Sequence, residues 1–277
     1  MSDHKTILIT GVSSGFGQAL ADTALTAGHR VIGTVRREAD ARAFEKHASG
    51  RAHACQLHLT DSAAIAQVVE QTRREFGPID VLVNNAGYGH EGILEESPTD
   101  EMRRQFEVNV FGAVEMIQAV LPAFRARRRG HIINVTSMGG YITMPGIAYY
   151  CGSKFALEGI SDALGKELAP FNIHVTAVAP GSFRTDWAGR SMQRSPRRIA
   201  DYDALFDPVR QARKDKSGHQ LGDPAKAARA MLDIIESDTP PAHLLLGSDA
   251  LKLVRARLAE MSREIDAWEA VTVSTDG

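Results

Sequence analysis

The chain has 277 residues, 43% of them hydrophobic and 24% charged, with a formal net charge of −2. That is an ordinary globular composition, long enough for a large buried core, and its interspersed signs give neither nucleic acid nor an anionic membrane surface a reason to bind. Its two cysteines, Cys55 and Cys151, and the scattered histidines show no spacing for a disulfide framework or a metal site.

The N-terminus runs straight into an apolar stretch at 6–10, with no charged and hydrophobic leader before it. Further short apolar runs lie at 30–35, 52–57, 79–84, 131–136, 173–178 and 243–247. Several alternate little, as strands covered on both faces do. Between them, residues 18–27, 62–76, 100–128 and 154–169 repeat their apolar side chains every three or four positions. Gly28, Gly77-Pro78, Gly130 and Pro170 stand where those helices should stop. The alternation predicts an α/β fold: one doubly wound, parallel, seven-stranded sheet with helices on both faces. We read 1–180 as the core. Residues 182–223, rich in proline, glycine and charge, interrupt the rhythm and read as a substrate loop or lid. The basic runs at 125–129 and 194–198 read as solvated. Residues 248–277 form a C-terminal extension, with an amphipathic helix over 251–268 and a frayed end. No apolar segment reaches the ~18 residues of a membrane span, so a cytoplasmic protein is expected.

Thr10-Gly-Val-Ser-Ser-Gly-Phe-Gly17 joins the first strand to the first helix. Glycines there let the backbone approach a ligand, and the helix start offers free N–H groups to a pyrophosphate. The spacing Gly-x-x-x-Gly-x-Gly, followed by Asn84-Asn-Ala-Gly87 and Pro180-Gly-Ser-Phe-Arg-Thr185, resembles the short-chain dehydrogenase/reductase family. The matches run from 10 to 185, and the resemblance implies a one-domain Rossmann fold. It implies a dinucleotide on Gly11, Ser13, Ser14, Gly15, Phe16 and Gly17, and on Asn85, Ala86 and Gly87. Pro180, Gly181, the backbone of Phe183 and the Thr185 hydroxyl would hold the carboxamide end. Val35 occupies the family's place for an acidic residue at the end of strand two, and Arg36 and Arg37 follow. Guanidinium suits a 2′-phosphate, so NADP(H) is the expected cofactor and NAD(H) the alternative. His58 stands where the family often has an Asp beside adenine, next to Leu59, and Asp61 is expected to cap the following helix.

In Ala148-Tyr-Tyr-Cys-Gly-Ser-Lys154, Tyr150 and Lys154 lie four apart on one helix face, whereas Tyr149 pairs with Ser153. A nearby ammonium favours phenolate, so the lysine is expected to lower the tyrosine's pKa. Ser137 stands thirteen residues earlier, at the C-terminal end of the fifth strand. The resemblance implies Tyr150 as general acid/base and Lys154 as its tuning partner and ribose ligand. It implies Ser137 as the group that polarises the substrate oxygen, and Asn109, in Glu107-Val-Asn-Val-Phe-Gly112, as support for a proton relay. Cys151 points elsewhere on the helix and reads as packing.

His90 reads as either pocket-lining or a surface residue. Tyr141, Met144, Phe183, Trp187 and Met192 would make an apolar pocket for a ketone or secondary alcohol. The 137–164 segment looks like the branch with 17β-hydroxysteroid and retinol reductases. A homodimer or homotetramer through helices 100–128 and 150–170 is implied, and the C-terminal helix should either cover the pocket or limit assembly. Other readings are a non-catalytic NADP(H)-binding regulator on the same fold and a nicotinamide-using epimerase or dehydratase.

Overall fold

The computed structural model describes residues 4–48 and 50–277. The first half alternates β1 (Thr6–Ile9), α1 (Gly15–Thr26), β2 (Arg30–Val35), α2 (Glu38–Glu45), β3 (Ala52–Gln56), α3 (Ser62–Phe76) and β4 (Val81–Asn84). A short β5 (Gly89–Glu91) leads to α4 (Thr99–Phe106), α5 (Gly112–Arg127), β6 (Gly130–Val135), α6 (Ala148–Leu168) and β7 (Ile173–Pro180). Then come β8 (Met192–Arg194), α7 (Asp203–Asp215), α8 (Pro224–Glu236), β9 (His243–Leu246) and α9 (Ser248–Val273).

Seven strands form one parallel sheet in the order β3-β2-β1-β4-β6-β7-β9. The chain winds outward from β1, then returns to β4 and winds the other way. Such a reversal leaves a crevice beyond the C-terminal strand ends, where sheets of this kind bind ligands. Strand side chains alternate faces. Ile7 and Ile9 pack with α1 and α8 through Leu20, Ala24, Met231 and Leu232. Leu8, in register with Ile32 and Leu82, packs on the other face with Ile65, Met116 and Phe124 of α3 and α5. Each such fully buried side chain contributes ~1.5–3 kcal/mol by leaving water. The seven strands fall where the apolar runs predict, except that the fourth begins at Val81. The preceding Asp80 instead turns its carboxylate to Thr6 N at 2.9 Å and to Arg127 at 3.2 Å.

Five features depart from the sequence reading. The helix over 100–128 is not uniform: a π-helical turn, Glu107–Phe111, joins α4 to α5. The joined run Thr99–Arg127 spans 29 residues and reaches a mean hydropathy of 1.2, so a helix of membrane-spanning length and composition does exist. Its apolar residues Met116, Ile117, Val120 and Phe124 are buried against the sheet. The 182–223 segment is not irregular but carries β8 and α7, and β8 pairs in parallel with β5. The 194–198 arginines are not simply solvated. The carboxylate of Glu91, wholly buried, meets Arg194 Nε at 3.0 Å, Arg210 Nε at 3.0 Å and Arg213 Nη1 at 2.7 Å. Glu96 accepts from Arg197 Nε at 2.8 Å and from the backbone N–H groups of Arg198 and Ile199 at 2.5 and 2.7 Å. The segment is therefore fastened to the β5–α4 connection. Finally, α9 continues to Val273, well past the expected end at 268.

Candidate active site

Two loops at the reversal point fold as one unit. Thr10 Oγ1 accepts the backbone N–H groups of Asn85 and Ala86, both at 3.0 Å. The Asn85 amide donates to Thr10 O at 2.9 Å and Gly11 O at 3.0 Å. Gly11 and Gly15 have φ of +74° and +60°, a region that favours glycine. A Cβ on Gly17 would lie 2.2 Å from Gly11 O, so only glycine lets α1 start this close to β1. Ser14 begins α1 without capping it by its side chain, and Ser13 is exposed beside it. The result is a bare helix start over a tight turn, a cradle that fits a phosphate. Asn84, beneath the loop, bonds Asn134 of β6 at 2.9 Å and ties two strands together.

The segment after β7 crosses this loop. A Cβ on Gly15 would sit 3.7 Å from Thr185 Cβ, and the rings of Phe16 and Phe183 meet edge-on at 5.1 Å. Phe183 is buried and packs over Gly222, so its ring belongs to the core. Pro180 closes β7, and Gly181 N donates to Leu246 O at 2.8 Å. The space beside Gly181 is filled by the Asp249 carboxylate, which also accepts from Ser182 N at 2.8 Å. Asp249 escaped the sequence reading, which stops at motif borders.

At the end of β2, Arg37 closes on Asp40 through two bonds of 2.8 and 2.7 Å. That hydrogen-bonded pair holds the Asp40 carboxyl below its usual range. Arg37 is therefore already engaged, whereas Arg36 beside it is exposed. His58 is exposed and Leu59 packs against Gly112. Asp61 caps α3, accepting from Ala64 N at 3.0 Å.

The second group gathers beyond β4 and β6. Ser137 follows β6, and its Oγ accepts Gly139 N at 3.0 Å. A Cβ on Gly139 would lie 3.3 Å from Tyr150 Cε1 and 3.4 Å from Ser137 Oγ, so the two flank one glycine. Lys154 Nζ donates to Val135 O at 2.9 Å and lies 5.9 Å from the Tyr150 ring centre. A Cβ on Gly87 would be 3.0 Å from Asn109 Oδ1 and 3.8 Å from Lys154 Nζ. Asn109 sits in the π-helical turn, accepting from Tyr88 N at 3.1 Å and donating to Tyr88 O at 3.1 Å and Ser153 Oγ at 3.2 Å. Turns of this kind recur at functional sites because they re-aim one side chain within a helix. Thus Asn109, Ser137 and the Tyr150–Lys154 pair of α6 converge from three stretches of chain.

The electrostatics correct one expectation. Burial pushes the Tyr150 phenol up to about 12, against the opposing hydrogen bond of Ser137. Burial also pulls Lys154 down to about 8. Desolvation of both groups outweighs the attraction that should have lowered the tyrosine, so the polypeptide alone holds a neutral phenol.

The expected pocket residues divide. Met144 and Trp187 pack with Ile147, Tyr150 and Cys151, and the Trp187 ring lies 5.1 Å from that of Tyr150. Met192 would meet a Gly89 Cβ at 2.8 Å, beside Trp187. Tyr141 does not join them. Its hydroxyl donates to Glu158 at 2.9 Å and lies 3.0 Å from His243 at the start of β9. His90 is neither at the surface nor in the pocket. It is buried, with Nε2 2.7 Å from Glu101 and 3.1 Å from Ser195, and stacks on Tyr149. Tyr149 itself donates to Ser97 O at 2.8 Å and is a packing residue. Glu158, which bonds Tyr141 and Thr136, was missed although it continues the four-residue spacing from Tyr150 through Lys154.

Comparison with known proteins agrees with this geometry. The family model for short chain dehydrogenase matches residues 5–195. An oxidoreductase of Botryotinia fuckeliana is 35% identical over 98% of this chain and 99% of its own length. A 3-ketodihydrosphingosine reductase of Bacteroides thetaiotaomicron is 37% identical over 87% of each chain. The crystal structure of a short-chain dehydrogenase from Streptomyces avermitilis superposes with a TM-score of 0.93 at 38% identity, covering 100% of both chains. The chain belongs to the short-chain dehydrogenase/reductase family and is an NAD(P)-dependent oxidoreductase of small-molecule carbonyls or alcohols.

Proposed function

We propose that the protein reduces a hydrophobic ketone with NADPH, using Tyr150 as the proton donor. The observation that carries this reading is the pairing of Tyr150 and Ser137 around Gly139, with Lys154 behind the phenol. A phenol held near 12 is neutral at physiological pH, as a proton donor must be. Ser137 Oγ accepts the Gly139 N–H, and its O–H, shared with the Tyr150 phenol, can turn to the substrate oxygen. The cofactor supplies the hydride. As Tyr150 gives its proton to the substrate oxygen, the phenolate forms beside the Lys154 ammonium, which stabilises it in a water-poor site. Lys154 keeps two further protons for the nicotinamide ribose once Val135 O is satisfied. Asn109 fixes the backbone at Tyr88, next to Lys154, and supports the relay of protons to that lysine.

Arg36 supports the choice of NADPH, since Arg37 is spent on Asp40. The apolar wall of Met144, Trp187 and Met192 supports a hydrophobic substrate under the 182–223 cap, and so does the likeness to a 3-ketodihydrosphingosine reductase. Exposed Phe111 and Phe155 support assembly through the α5 and α6 faces. The test is a panel of long-chain ketones, steroids and their alcohols followed by nicotinamide absorbance with both cofactors. We expect NADPH-linked reduction of an apolar ketone. Turnover confined to small polar substrates, or tighter binding of NADH than of NADPH, overturns the corresponding half of the reading.

A further inference from the structure

α9 ends in an apolar stripe that its own domain does not cover. Leu251, Val254, Leu258, Met261, Ile265 and Trp268 follow one another at intervals of three, four, three, four and three. That is a repeat of 3.5 residues, the period of helices that wind around each other, rather than the 3.6 of a helix lying on a globular core. Only Ala250 and Val254 of α9 are buried, at its base. Beyond them the stripe stands free: Leu258, Met261, Ile265 and Trp268 are 54%, 41%, 63% and 65% exposed. The part past Val254 extends roughly 28 Å at 1.5 Å per residue.

Charge along the helix selects the partner. Past Asp249, whose carboxylate is taken up by Ser182 N, Lys252, Arg255 and Arg257 come first, and Glu260, Glu264, Asp266 and Glu269 follow with Arg263 alone among them. Arg257 is joined to Glu260 at 2.9 Å within the helix. A helix that is basic at one end and acidic at the other complements itself when reversed, and repels itself when parallel.

We propose that α9 pairs antiparallel with α9 of a second copy of this chain. Val254 is already covered, so the seam centres farther out. Leu258 lies against the second copy's Trp268, and Met261 against its Ile265. Ser262 lies near the two-fold axis, and Arg255 runs beside the other chain's Glu269. Such an isologous contact covers Leu258, Met261, Ile265 and Trp268 of both copies. This surface is distinct from the α5 and α6 faces.

Sedimentation velocity on the full chain tests the pairing. The wild type is expected to be an assembly whose mass falls by half in the Ile265→Glu, Trp268→Glu double variant. Both positions are exposed, so its melting curve should still report a folded domain. In a Ser262→Cys variant, mild oxidation should yield a covalent dimer. A monomeric wild type, an unchanged mass in the double variant, or no Ser262→Cys dimer overturns the proposal. So does a monomer that sediments with phosphatidylcholine vesicles, which would assign the stripe to a membrane.

Discussion

The rim above the sheet is built in two different ways. On the β1–β4 side, backbone does the work: glycines at positive φ, a bare helix start, and short bonds from Asn85 to the loop carbonyls. On the side of the 182–223 cap, charged side chains do it. Glu91 reaches Arg213 across 122 residues of chain, and Glu96 reaches Arg197 across 101. A backbone cradle depends on what side chains are absent, and a fastened cap on a few that must be ionised together. The first should tolerate polar substitution and fail on added volume. The second should do the reverse.

The group between these two regions gives the largest expected effect. Tyr150→Phe removes a proton donor that touches neither the cradle nor the cap's ion pairs. We expect turnover to fall by about 10²–10⁴-fold, the usual worth of general acid catalysis, with nucleotide binding kept. Steady-state rates and a cofactor titration check both parts, and near-normal turnover removes Tyr150 from its role.

Next comes the cap. Glu91→Gln leaves three guanidinium groups, 12–25% exposed, around a neutral amide. Removing one partner of a buried ion pair costs ~3–5 kcal/mol, and the partial exposure of the arginines argues for the lower end. We expect a lower melting temperature and a raised KM for the organic substrate, with the cofactor's affinity unchanged. A loss of cofactor affinity equal to that of substrate would mean that the two regions are not independent.

The cradle should respond to volume. Gly17→Ala puts a methyl group 2.2 Å from Gly11 O and 2.4 Å from the Asn85 amide. Overpacking of this kind costs ~1–3 kcal/mol. Here the cofactor's affinity should weaken, and substrate KM at saturating cofactor should not. Calorimetric titration of the nucleotide reads this directly, and unaltered binding would show that α1 can shift without harm.

The same contrast explains what was legible in the sequence. A backbone cradle leaves a local mark, because glycine is needed at fixed positions within eight residues, and Tyr150–Lys154 shares a helix face by spacing. The seven strands carried their own apolar runs. The ion pairs left no mark, since nothing in 194–198 tells which carboxylate a distant arginine will find. Hence the cap read as an irregular lid, and His90 as a residue of pocket or surface when it is buried against Glu101 and Ser195. Tyr141 was misplaced for a related reason. Its partners, Glu158 and His243, lie on different elements and hold it apart from the Met144 and Trp187 cluster. The phenol's pKa was misread because spacing reveals a charge neighbour but not the burial that outweighs it.

The smallest expected effect concerns acid. Hydrogen bonds, first from Arg198 N and then from Ile199 N and Arg197, hold the Glu96 carboxyl at about 2 although burial opposes them. An unfolded glutamate titrates near ~4.3. The folded value is therefore depressed, and the carboxylate's contribution to stability is fully present above the unfolded value. It is lost as pH falls from there through about 2, because the unfolded chain then takes up a proton that the folded one resists. Glu96→Gln should lower the melting temperature at neutral pH, and its deficit against wild type should shrink steadily over that acid window. The cradle, bound through N–H and C=O groups that do not titrate there, should give Gly17→Ala a deficit that stays constant over the same range. A Glu96→Gln deficit as large at the acid end as at neutrality would mean that the residue holds the cap by shape, not charge, and the contrast between the two regions would fail at that point.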